Sequence, residues 1–252
     1  SGGAANWSSG FLPTVYAGTR FRNQGDPILN VSSPAGIDAE MQRDLLNLVG
    51  ELNRRRLDED GDPEIATRIS SYEMAFRLQT SAPQLMDLRS ESAATLEMYG
   101  CDPDKPSFAR ACLLARRMIE RGVRFVQVWA GGWDHHQDIE DRLPERAREI
   151  DQPLAAFIAD LKQRNLFDET LVVWGGEFGR KPVKDRNGND NAGRDHNGRA
   201  MCAWVAGGGV KGGQAYGATD EFGGKAVENK VHIHDFHATI LALMGFDHEK
   251  LT

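Results

Sequence analysis

Three short segments carry the residue types that hold a divalent metal: Gly131-Gly132-Trp133-Asp134-His135-His136-Gln137-Asp138, Trp174-Gly175-Gly176-Glu177-Phe178-Gly179-Arg180 and Gly193-Arg194-Asp195-His196-Asn197. Asp134 and His136 stand two apart, and side chains alternate along an extended chain. A carboxylate oxygen and an imidazole nitrogen can therefore face one ion; the bland alternative is that both residues cap the next helix or sit in solvent. Glu177 lies between glycines that let a carboxylate approach backbone closely, and Arg180 has the planar fork that clamps a phosphate or sulfate oxygen. A turn with a charged rim explains that segment equally well. His196 occupies a polar loop, where a lone histidine is more often surface than ligand; it gains weight as the third group of one pattern.

Other motifs are weaker. His232, His234 and His237 crowd six residues, with His232 and His234 on one side of an extended stretch and Asp235 read as the cap of a closing helix. That cluster is read as a supporting shell rather than as direct ligands. The run Gly207–Gly213 lacks the spacing of a phosphate-binding loop and reads as a flexible turn. A nucleotide-binding module built on it would be the outlying alternative. Asn6-Trp7-Ser8 matches a glycosylation sequon, a pattern frequent by chance. Cys101, Cys112 and Cys202 form no CxxC pair and no disulfide framework, which leaves the compartment open.

The elements that must position these groups fall into two stretches. Residues 1–37 are rich in Gly, Pro, Ser and Asn and read as an extended surface segment anchored by Trp7, Phe11, Leu12 and Phe21. From an N-cap at Asp38, Met41, Leu45, Leu48, Val49 and Leu52 recur at helical spacing up to Arg54-Arg55-Arg56, which read as a C-terminal charge complement to the helix dipole. Asp62-Pro63 opens a second helix to about Ser81, and shorter ones are expected near 91–99 and from Ser107 to Glu120.

Beyond residue 122 the pattern changes. Strands are expected at 123–130, 170–174 and 201–206, with a helix from Pro144 to Arg164 and another from Asp235 to Met244. Continuously apolar strands separated by helices imply an α/β fold with a largely parallel sheet covered on both faces. The first two candidate segments then fall just past a strand end, where open α/β sheets place their ligands, and the third lies in the long polar loop before the third strand. One α/β domain over 1–252 is expected, its helical portion at 1–122 and its strand-rich portion at 123–252.

A net charge of −7 argues against a nucleic-acid partner. No apolar run reaches the roughly 18 residues a membrane helix needs, so no membrane is expected as partner. Ser1-Gly2-Gly3-Ala4-Ala5 reads as a fragment boundary, and no signal-like segment follows it.

Taken together, Asn6–Pro13, Trp133-Asp134-x-His136, Gly175–Arg180, Gly193–Asn197 and His234-Asp235-x-His237-Ala238-Thr239-Ile240-Leu241 resemble, in order and along essentially the whole chain, a sulfatase-like family catalogued as domain of unknown function 1501. That resemblance implies a branch of the alkaline phosphatase superfamily, with a three-layer α/β/α fold and hydrolysis of small-molecule or glycan sulfate or phosphate esters. It also implies one or two divalent ions (Zn, Mn, Ca or Mg) and export to the periplasm or cell exterior. Carried over by position, Asp134, His136, Glu177 and His196 are expected as metal ligands and Arg180 and Arg194 as anion-binding catalytic groups. His135, Asp195, His234, Asp235 and His237 are expected as supporting residues. The chain departs from the superfamily pattern at Phe178, where a histidine ligand is usual, and in having no nucleophilic Ser, Thr or Cys placed as the superfamily has it. It thus reads as the C-terminal part of a longer protein. The alternative to an enzyme is a non-catalytic binding or structural protein that retains the fold. Oligomeric state is left open.

Overall fold

The computed structural model describes residues 9–10, 16–23, 28, 36–185 and 191–251. Trp7, Phe11, Leu12 and the sequon Asn6-Trp7-Ser8 lie outside them. The chain divides into two compact units, Ser1–Glu97 with Cys101–Met118, and Met98–Gly100 with Ile119–Thr252. Every candidate site residue belongs to the second.

The first unit is helical. Helix α1 (Ala39–Asp60) starts where the Asp38 carboxylate accepts the Met41 N–H at 2.8 Å, satisfying a donor the first turn leaves open. It ends at Gly61, left-handed at φ 67°, whose N–H donates to the Leu57 carbonyl. Arg54, Arg55 and Arg56 therefore lie inside the helix and not in its last turn. Arg55 pairs with Glu51 and Arg56 with Asp60, so their role is ion pairing along the helix surface and not the dipole complement expected.

Asp62 and Pro63 open α2 (Pro63–Met86), which runs antiparallel to α1. Arg43–Glu73 at 2.9 Å and Gln42–Gln79 at 2.8 Å join the two. Two further helices follow, α3 (Ala93–Tyr99) and α4 (Phe108–Glu120). Arg116 and Arg117 on α4 are buried, and Glu91 bridges them at 2.5 and 2.9 Å. Burying such charges is tolerable only because they are paired.

The second unit is built on α5 (Ile139–Gln163), which begins a turn earlier than Pro144 and buries Ala156, Phe157 and Leu161. Tyr99 is fully buried and donates its hydroxyl to Asp160 at 3.0 Å. Among the described residues six short strands follow it. Val172–Gly175 (β1) pairs with Ala203–Ala206 (β4), Gly179–Arg180 (β2) with His196–Asn197 (β3), and Ala218–Thr219 (β5) with Ala226–Glu228 (β6). All three pairs are antiparallel. In the first, Trp174 and Trp204 stack across the ladder with ring centroids 6.3 Å apart. The last α-helix, α6 (Ile233–Leu243), is capped by His232 and not by Asp235. Asp235 instead completes a capping box by accepting from the His232 N–H.

This arrangement corrects the expected three-layer α/β/α fold with a mostly parallel sheet. The described residues hold two-stranded antiparallel pairs, and 123–130 joins no ladder. The reason is topological. Parallel strands need a crossover, usually helical, between them. The chain between β1 and β4 instead doubles back through β2 and β3, which returns β4 antiparallel beside β1. Phe125 and Trp129, taken as strand interior, are 67 and 64% exposed. Among the described residues no helix is long and apolar enough to cross a membrane.

Candidate metal centre

Two glycines bring the segments of the site together. In the β2–β3 pair, Gly179 faces Asn197 and Arg180 faces His196. A Cβ on Gly179 would overlap the Ala200 carbonyl. Gly193 donates its N–H to the His136 carbonyl at 2.8 Å, and Arg194 donates to His135 at 2.8 Å. A Cβ on Gly193 would overlap the His135 carbonyl group. Only glycine permits either approach, and each fixes one wall of the site. Farther along, Gln137 bridges Ala192 and the Asp138 N–H donates to Asn191 at 2.7 Å, so the 133–138 loop is stitched to the 191–197 loop.

Asp134 is the centre of the result. Its Oδ1 lies 2.9 Å from His196 Nε2, 3.0 Å from His136 Nε2 and 2.5 Å from the Arg180 guanidinium. The Arg180 bond, reinforced by His196, holds the Asp134 carboxyl far below the usual carboxylate range. The rings of His136 and His196 stand 5.1 Å apart. Donor atoms of Asp134, His136 and His196 all fall within 4.8 Å of one another. The group is open on one side: the side chains of Asp134, His196 and His136 are 61, 45 and 40% exposed. The second ring nitrogen of His136, Nδ1, meets Asp185 at 2.6 Å, and that bond raises the imidazole above its ordinary range.

The other expected residues are distributed around this group. Glu177 stays outside it, 3.9 Å from Arg180, on which its carboxylate bears. The Arg194 guanidinium turns back onto the carbonyls of Ala192 and Gly193 and braces its own loop. Asp195 pairs with Lys181 at 2.5 Å, the main reason its carboxyl lies below its normal range, and accepts the His196 N–H at 2.7 Å. His135 is buried, and burial together with the field of Arg142, Arg180 and Arg146 pushes its ring down toward the neutral form. His234, Asp235 and His237 are exposed on the first turns of α6, and none belongs to a convergent donor group among the described residues. Phe178 lays its ring 4.3 Å from that of His196.

Sequence reasoning missed Asp185 and Lys181. The stretch Lys181–Asp190 is mostly polar, apart from Pro182 and Val183, and offers no periodicity; the one available signal was that a ligating histidine generally needs an acceptor for its other nitrogen. A cavity of about 510 Å³ opens beside His196, lined by Lys181, Val183, Asn197 and Arg199 among others.

A family model described as Protein of unknown function (DUF1501) matches residues 1–252, and the chain belongs to that family. No curated protein and no solved structure matches it.

Proposed function

We propose that Asp134, His136 and His196 hold one divalent ion and that the site hydrolyses sulfate or phosphate esters. The observation that carries the reading is the convergence of two imidazole nitrogens and one carboxylate oxygen from two loops 60 residues apart in sequence, Asp134 and His136 from one and His196 from the other. Ligand atoms bound at about 2.0–2.1 Å stand about 3.0–3.4 Å apart, and the Asp134–His136 and Asp134–His196 separations of 3.0 and 2.9 Å are close to that edge. An N2O donor set suits zinc better than manganese, calcium or magnesium, which favour oxygen-rich shells. Three protein ligands with an exposed face also leave a position for substrate.

Bound there, such an ion supplies Lewis acidity toward an ester oxygen. The chain's own residues do the rest. Arg180, beside Asp134, presents a planar fork to an anionic oxygen, and a cation bound at Asp134 Oδ1 would compete with it and free it for that purpose. Arg199 lines the adjoining cavity and favours a negatively charged group, while Val183 gives its leaving group an apolar wall. The sulfatase-like motif resemblance supports the same substrate class.

A second reading, a non-catalytic binding protein, is favoured by one feature. Phe178 covers a side of His196 with an apolar ring where a further ligand would otherwise stand. Turnover of aryl sulfates and aryl phosphates by the full protein, with zinc or manganese supplied and then chelated, separates the two. Chelator-sensitive turnover lost in Asp134→Ala supports the hydrolase. Metal binding with no turnover on either panel supports the second reading.

A further inference from the structure

We propose that Asp185 is a positioning residue for His136, completing a carboxylate–histidine–metal relay, and that the site holds a single ion. The proposal rests on the metal-centre reading above and adds a residue that no motif marks.

The geometry assigns the two nitrogens of His136 to different tasks. Nε2 faces Asp134 at 3.0 Å, and Nδ1 faces Asp185 Oδ2 at 2.6 Å. The ring nitrogens point in diverging directions, so one ion can take only one of them. Both nitrogens face a carboxylate, which can only accept; the shorter contact, to Asp185, takes the hydrogen of the neutral ring at Nδ1 and leaves the lone pair of Nε2 for an ion shared with Asp134 and His196. Asp185 is well placed for this. Its side chain is 11% exposed against 61% for Asp134, and low exposure strengthens a charge-assisted bond. Its own N–H donates to the Gly193 carbonyl at 3.0 Å, while the Gly193 N–H donates to the His136 carbonyl. Acceptor and histidine thus hang on one residue, which fixes their separation.

His136, Asp185 and Asp195 also converge, and a second ion bridged through His136 is the competing arrangement. The partners already present argue against it. Asp195 Oδ2 is on Lys181 at 2.5 Å, and its Oδ1 accepts the His196 N–H. Asp185 Oδ2 is on His136. A second ion would have to break two charge-assisted bonds and displace the Nδ1 hydrogen.

The test compares wild type with Asp185→Ala and Asp185→Asn, the latter keeping an acceptor oxygen. In metal-free protein at alkaline pH, nitrogen-correlated NMR of the imidazole reads which ring nitrogen of His136 carries hydrogen. Cobalt(II) and zinc titrations then give stoichiometry, affinity and the cobalt ligand-field spectrum. The expected result is hydrogen on Nδ1 and one equivalent of metal in wild type. The alanine variant is expected to shift the hydrogen, bind metal about 10–100-fold more weakly and change the cobalt spectrum, with asparagine restoring part of each. Should the alanine protein fail to fold, the asparagine comparison carries the test. Unchanged tautomer, affinity and spectrum in a folded variant overturn the positioning role and leave the metal centre standing. Two equivalents in wild type overturn the single-ion claim. No binding by wild type overturns the metal centre itself.

Discussion

Replacing Gly193 by alanine tests whether the close approach of two loops builds the site. The added Cβ would overlap the His135 carbonyl, and both neighbours are backbone that no side-chain rotation can clear. Relief requires the loops to separate, which stretches the Gly193–His136 and Arg194–His135 hydrogen bonds, each 2.8 Å long. Overpacking costs about 1–3 kcal/mol and each of the two lost bonds about 1 kcal/mol, together about 3–5 kcal/mol. At about 2–4 °C per kcal/mol, Tm falls by roughly 6–20 °C. Gly198→Ala is the control, because a Cβ there meets nothing within 4 Å and its φ is not left-handed. It should be neutral or stabilise by about 0.4–1 kcal/mol through the unfolded chain. Differential scanning fluorimetry measures both, and zinc calorimetry follows His136, which moves with the loop. Equal melting temperatures and zinc affinities for Gly193→Ala and wild type would refute the reasoning.

Further outcomes follow from other parts of the chain. Glu91→Ala removes the carboxylate that neutralises the buried guanidiniums of Arg116 and Arg117, and a loss of about 3–5 kcal/mol is expected in chemical denaturation; a loss within the surface-mutation range would contradict the pairing. Burial lifts the Cys112 thiol to about 12 and also raises Cys101, whereas Cys202 is exposed. A chromogenic thiol reagent near pH 8 should therefore label one cysteine in native protein and three in denaturant, since only the thiolate reacts. Rapid labelling of all three natively would show that α4 is not packed as described. Tyr99→Phe removes the donor to Asp160 and should cost about 1 kcal/mol or more, read from the same denaturation curves.

Much of the local structure was legible in the residues. Asp38 as a cap and Asp62-Pro63 as a start announced α1 and α2, because caps act through hydrogen bonds only a few residues long. β1 and β4 fell where β-branched and aromatic residues cluster. Their direction did not, since composition is the same for parallel and antiparallel strands and only the path of the intervening chain decides. The 123–130 segment misled for a related reason: β propensity describes a residue that fits a ladder and cannot supply the partner strand. At the site, Asp134, His136 and His196 were visible from spacing and type, and the structure brings them together. Glu177 shared the same signal but sits beyond Arg180. Asp185 was invisible because its role depends on a contact 49 residues away in sequence.

The central claim is that three side chains from two loops, 133–138 and 191–197, form one metal centre. Crystals grown with zinc or manganese, with anomalous data collected at the metal edge, test it most directly. The account predicts a single strong peak at about 2.0–2.2 Å from Asp134 Oδ1, His136 Nε2 and His196 Nε2. No peak at that point, or metal found only at His232 and His234, would contradict it.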